Sequence, residues 1–201
     1  MYQKYNEGWI EVITGCMFAG KTEELIRRIN ILHYAKKVIL VIKPKIDNRY
    51  SVDEIASHSG YREKSYTIAR SMEILDYVTD DTEVVAIDEA QFLDKDLVLV
   101  CEHLANRGIR VMVAGLDSDF RGEPFGVMPE LLVRAEFVTK LSAVCVKCGA
   151  PATKTQRLVN GEPADYHDPI VLVGASEAYE PRCRHCHEVK NAPNISDQPC
   201  K

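Results

Sequence analysis

At 201 residues the chain suits one full-sized α/β domain, or one domain with a small appendage. Apolar residues make up 46% of it, enough for a core without covalent staples, and a mixed charge with a net of −5 lacks the basic footprint of a dedicated nucleic-acid binder. Met1 to Asn6 carry no basic-then-apolar signal and no apolar run is long enough to span a bilayer, so a soluble, cytoplasmic protein with neither nucleic-acid nor membrane partners is expected.

Trp9 to Ile13 reads as a short buried strand running into Thr14-Gly15. Leu25, Ile29 and Leu32 then recur at helical spacing, with Glu23 and Glu24 in the first turn, where the helix dipole favours acids. Val38 to Ile42 has the continuous apolar run of a strand covered on both faces, ended by Pro44. Lys45 to Ala69 is polar, irregular and too long for an ordinary connection; it predicts a functional excursion with short strands of its own. Met72, Leu75 and Val78 predict a helix. Val84 to Ile87 predicts a buried strand, followed at once by Asp88-Glu89. Leu97, Cys101, Leu104 and Ala105 mark a helix closed by Gly108, and Val111 to Ala114 and Phe137 to Leu141 read as two more strands.

This alternation predicts right-handed βαβ units and a mainly parallel sheet flanked by helices. After Leu141 the texture changes to cysteine pairs, prolines and short extended pieces. A boundary is expected there, dividing the chain into 1–141, 142–189 and a polar tail, 190–201, expected to be disordered.

Gly15-Cys16-Met17-Phe18-Ala19-Gly20-Lys21-Thr22 fits G-x-x-x-x-G-K-[ST], a loop whose backbone N–H groups cradle phosphate oxygens at a helix N-terminus. A strand precedes it and an amphipathic helix follows, the context such a loop needs. Lys21 would reach the β- and γ-phosphates of ATP, and the Thr22 hydroxyl would sit on Mg²⁺. Asp88, at the end of a buried strand, suits the second half of the magnesium site. Glu89 beside it can take a proton from the attacking nucleophile. These motifs leave open whether that nucleophile is water or a substrate hydroxyl.

In order along the chain, this loop, Asp88-Glu89-Ala90-Gln91-Phe92, Gly115-Leu116-Asp117-Ser118-Asp119-Phe120, Cys145-x-x-Cys148 and Tyr179…Cys183-x-x-Cys186 resemble the type II thymidine kinases, from about Gly8 to His187. The resemblance implies a P-loop kinase fold and transfer of the γ-phosphoryl of ATP to the 5′-hydroxyl of thymidine. It implies Glu89 as the general base, and an ATP set comprising the loop from Gly15 to Thr22 with Arg49, Asp88 and Gln91. Met17, Phe92, Leu116 and Phe120 would wall the thymine. A lasso-like segment, Asp168 to Gly174, would close over the nucleoside through the backbone of Ile170, Val171, Leu172, Val173 and Gly174, with Tyr179 after it and Thr155 approaching the base. Between Arg157 and Val171, Asn160-Gly161-Glu162-Pro163-Ala164-Asp165 reads as a hairpin tip. A homotetramer and feedback by thymidine triphosphate are also implied, and deoxyuridine is expected as a second acceptor, because apolar walls discriminate a methyl group weakly.

Of the seven cysteines, Cys145, Cys148, Cys183 and Cys186 supply the four thiolates of a closed tetrahedral zinc site, with His185 and His187 as substitute ligands. Such a zinc is structural and would anchor both ends of the lasso. Cys16, in a variable position of the loop, reads as a tolerated small side chain. Two rivals remain in view: a P-loop ATPase acting with nucleic acid, and a zinc-ribbon binding module with a vestigial nucleotide site.

Overall fold

Runs of Val and Ile with no solvated face can satisfy their backbone only by pairing on both edges, and they form the interior of a parallel sheet. The computed structural model describes residues 8–45, 54–56, 62–171 and 177–193. Its first half contains β1 (Trp9–Thr14), α1 (Lys21–Tyr34), β2 (Ile39–Pro44), β3 (Glu54–Ala56), β4 (Arg62–Lys64), β5 (Tyr66–Ile68), α2 (Ile74–Tyr77) and β6 (Val84–Ile87). Then come α3 (Asp96–Asn106), β7 (Arg110–Gly115), α4 (Met128–Arg134) and β8 (Phe137–Lys140). Five short strands follow: β9 (Ala143–Val144), β10 (Pro151–Ala152), β11 (Lys154–Val159), β12 (Glu162–Pro163) and β13 (Glu177–Arg182).

Among the described residues the main sheet has six strands in the order β5-β2-β6-β7-β1-β8, every pair parallel. Alternation along each strand feeds two cores. On one face Ile13, Val41, Ala86, Met112 and Ala114 meet Leu25, Ile29 and Leu32 of α1. On the other, Ile10, Val12, Val85, Ile87, Val111 and Val113 meet Leu97, Cys101 and Leu104 of α3 and Met128 and Leu131 of α4. Because all six strands run the same way, the residues that leave β1, β6 and β7 emerge along one edge of the sheet, where ligands of open α/β folds bind.

The predicted strands and the helices α1 and α3 are present, and Gly108 closes α3 at a φ of +84°. The helix expected around Met72 is reduced to a 3₁₀ turn, Ser71–Glu73, and the single turn of α2. Within the Lys45 to Ala69 excursion β3 and β4 form an antiparallel pair, while β5 joins the main sheet as its edge.

After β8, β9 pairs with β10, and β11 lies between β12 and β13. The expected hairpin tip is Asn160-Gly161, both left-handed at φ +53° and +82°, as a two-residue turn requires. Lys190 and Asn191, assigned to the tail on sequence, bond back to this segment through Ala164, Tyr166 and Asp165. Among the described residues no helix is long and apolar enough to cross a membrane.

Candidate active site

The phosphate loop leaves β1 at Gly15 and enters α1 at Lys21. Gly15 has a φ of +147°, and a Cβ there would lie 2.4 Å from the Leu141 carbonyl oxygen, so only glycine fits. Gly20, at φ +83°, supplies the left-handed step into the helix. The Lys21 ammonium, 9% exposed, donates to the Cys16 carbonyl at 2.9 Å, which folds it back across the loop toward the space phosphates would fill. Phe18, left-handed and half-exposed, forms the outer rim.

Thr22, in the first turn of α1, donates from Oγ1 to Asp88 Oδ2 at 3.0 Å. Hydroxyl and carboxylate are the pair a P-loop uses to hold a magnesium ion, and the two oxygens lie side by side at the sheet edge. Burial, and next the neighbouring Glu89 charge, push the Asp88 carboxyl up to about 7.

Glu89 follows in a left-handed conformation, φ +52°, which for a glutamate is a strained backbone. Its carboxylate accepts from Gln91 Nε2 at 2.5 Å. Gln91, 3% exposed, uses its other end as well: Oε1 accepts the Leu116 N–H at 3.0 Å. Both ends of the Gln91 amide are thus held by neighbouring residues. Gly115 is required beside it, because a Cβ there would come within 2.7 Å of both Gln91 Oε1 and the Met128 sulfur.

The residues expected to wall a base lie on elements that converge at the same edge. Leu116 directly follows β7 and is 9% exposed; Phe120 sits in the loop after it and is 4% exposed. Phe92 packs edge-to-face on Phe125 at 5.5 Å between centroids. Phe125 was missed on sequence, as a lone aromatic amid Gly and Pro offers no periodic signal. The Met17 backbone N–H donates to Thr155 Oγ1 at 3.0 Å, tying the phosphate loop to β11. Tyr179 on β13 stands opposite Arg157 of β11. Ile170 and Val171 are 40% and 47% exposed. Arg49, Leu172, Val173 and Gly174 lie outside the described residues.

Asp119, also overlooked for its role, is 3% exposed; its Oδ1 accepts the backbone N–H groups of Arg121 at 2.9 Å and Glu123 at 3.0 Å. It pins the loop that carries Phe120. Burial raises its carboxyl above the usual range despite those bonds.

The Sγ atoms of Cys145, Cys148, Cys183 and Cys186 all lie within 4.8 Å of one another, with Cys148 and Cys183 at 3.5 Å. A zinc–sulfur bond of about 2.3 Å in a tetrahedron separates its sulfurs by roughly 3.8 Å, so the four thiols fit that ion and, with no fifth donor in the cluster among the described residues, suit a structural site. Burial would raise the Cys145 thiol, but N–H groups of Cys183, Cys148 and Lys147 outweigh it and hold it at about 6, while the hydrogen bonds that the Cys186 thiol donates to Cys183 and Cys148 push it up to about 12. His187 is not among these donors; its Nε2 is 2.8 Å from the Phe120 carbonyl oxygen. Cys16 is 1% exposed, bonds from Sγ to the Ala152 carbonyl at 3.3 Å, and shares a buried cluster with Cys145, Ala152 and Cys183.

A phosphate loop, a paired hydroxyl and carboxylate, a restrained second carboxylate and a four-thiol centre thus occur together and in the expected order. The family model for thymidine kinase matches residues 8–187 of this sequence, and the chain belongs to that family.

Proposed function

We propose that this kinase transfers the γ-phosphoryl of ATP to the 5′-hydroxyl of thymidine, and also of deoxyuridine, with Glu89 as the general base. The observation that carries the reading is the continuous hydrogen-bonded run Thr22–Asp88–Glu89–Gln91–Leu116. It joins the phosphate loop at one end to a candidate base-pocket wall at the other, so one rigid chain would serve both substrates. Glu89 accepts the hydroxyl proton as the nucleoside oxygen bonds to the γ-phosphorus. The bond from that phosphorus to the β-phosphate oxygen breaks, and ADP leaves. Lys21 balances the negative charge on the transferring group, and Thr22 and Asp88 would hold a magnesium ion, which would add positive charge beside the phosphates. The four cysteines would hold a structural zinc.

The test is conversion of thymidine to its monophosphate by the purified protein with Mg-ATP. Glu89→Gln is expected to lower kcat by ~10²- to 10⁴-fold, the usual contribution of a general base, while ATP affinity stays within about twofold. ATP hydrolysis that proceeds equally fast without a nucleoside would overturn the proposal.

A further inference from the structure

Arg157 is a fully buried arginine, 0% exposed, in the middle of a short strand. Burying a guanidinium is unfavourable unless fixed acceptors meet it, and an aliphatic side chain would fill the same volume without that penalty. Its contacts suggest why it is there. Its Cζ lies over the Phe120 ring at 4.9 Å, and Nη1 donates to the Pro169 carbonyl at 2.5 Å. Arg121 repeats the arrangement: its Cζ is over the same ring at 5.4 Å, and Nη2 donates to the Asp168 carbonyl at 2.6 Å. Two planar cations therefore engage one aromatic ring and two consecutive backbone carbonyls.

Three separate stretches of chain meet at this point: the loop pinned by Asp119, strand β11, and the Asp168-Pro169 backbone. Side chains two apart on a strand share a face, so Thr155 and Arg157 project together from β11. Thr155 meets the backbone of Met17 in the phosphate loop. One strand face thus touches both the loop and the ring expected to wall the base.

We propose that Arg157 and Arg121 are positioning residues for the nucleoside pocket: they fix the Phe120 ring against the Asp168-Pro169 backbone, and so set nucleoside affinity without touching ATP. The inference rests on the reading of Phe120 as a pocket wall. Lysine cannot replace either arginine, because it lacks a plane that can lie on a ring while donating in a fixed direction.

The experiment compares wild type with Arg157→Lys, Arg121→Lys, Phe120→Leu and the double variant Phe120→Leu/Arg157→Lys. Arg157→Lys is expected to raise thymidine KM by ~10-fold or more, from the loss of a cation–π contact and a charged hydrogen bond. The KM for ATP, kcat at saturation and zinc content should stay within about twofold of wild type. Arg121→Lys, at a less buried position than Arg157, should show a smaller rise in the same constant. The double variant should lose little more than Phe120→Leu alone, since one residue acts through the other. Unchanged thymidine KM in either lysine variant, a uniform loss of both substrates, or full additivity in the double variant would overturn the proposal. If Arg157→Lys does not fold, Arg121→Lys carries the same decision. A wild-type protein that does not phosphorylate thymidine overturns the functional reading itself, and is seen before any variant is measured.

Discussion

Gln91 holds Glu89 with one end of its amide and the Leu116 N–H with the other. A Gln91→Leu substitution keeps most of the volume but strands a buried N–H, which costs about 1–3 kcal/mol, and it frees the Glu89 carboxylate. The expected result is a fall in kcat of roughly tenfold with ATP affinity unchanged, read by steady-state rates beside calorimetric titration. A selective loss of ATP binding would instead assign Gln91 to the nucleotide, as the resemblance implies. Glu11, 5% exposed on β1, is a different kind of residue. It collects Arg28 at 2.9 Å and Arg110 at 3.0 Å, with Trp9 Nε1 at 2.5 Å. Burial alone would raise its carboxyl, but Arg110, Trp9 and Arg28 outweigh burial and hold it below its ordinary 4.5. A depressed value in the folded state means that the stabilisation is complete above pH 4.5 and is lost as pH falls through the lower folded value. Glu11→Gln should therefore cost about 2 kcal/mol at neutral pH and flatten the acid end of a stability-against-pH curve. An unchanged acid limb would mean that the network contributes nothing.

Strands differ in how far hydrophobic pattern betrays them. Val84 to Ile87 was legible because four buried apolar residues in a row have few alternatives. The strand β11 was not, although Thr155, Gln156 and Arg157 are all at most 3% exposed. Its burial is polar: Gln156 exchanges two hydrogen bonds with the backbone of Glu188, at 2.8 and 2.9 Å, while its neighbours reach the phosphate loop and Phe120. Periodicity scales register such residues as surface. The helix α4 was missed for another reason, since it is seven residues long and buries only Met128 and Leu131. The Asn160-Gly161 turn, by contrast, announced itself through chemistry. No atom lies within 4 Å of a Cβ built on Gly161, so Gly161→Ala isolates the conformational term at φ +82°. A loss of about 1 kcal/mol in thermal denaturation is expected, with thymidine kinase activity intact at permissive temperature. A larger loss would mean that the turn does more than reverse the chain.

Across the whole molecule, the motif-bearing residues were readable because phosphate loops and thiol pairs require particular residue types at particular spacings. The supports Asp119 and Arg157 were not, because any polar residue can be buried once the fold supplies partners. Metal removal is the corresponding global test. A strong chelator, or Cys148→Ser, should abolish binding of about one zinc ion per chain and lower the melting temperature, read by metal analysis and calorimetry. Undiminished metal in Cys148→Ser would place the ion elsewhere.

Cys16 adds a consequence for how such a protein can change over generations. Its thiol is roofed by Ala152 and shares a cluster with Cys145 and Cys183, so a phosphate-loop residue is sealed by the segment that carries the metal ligands. Residue 16 and its cover constrain each other: a larger side chain at 16 would need a roof that gives way. A chimera that exchanges the front of the chain at Leu141, while leaving the back untouched, would divide that pair at its joint.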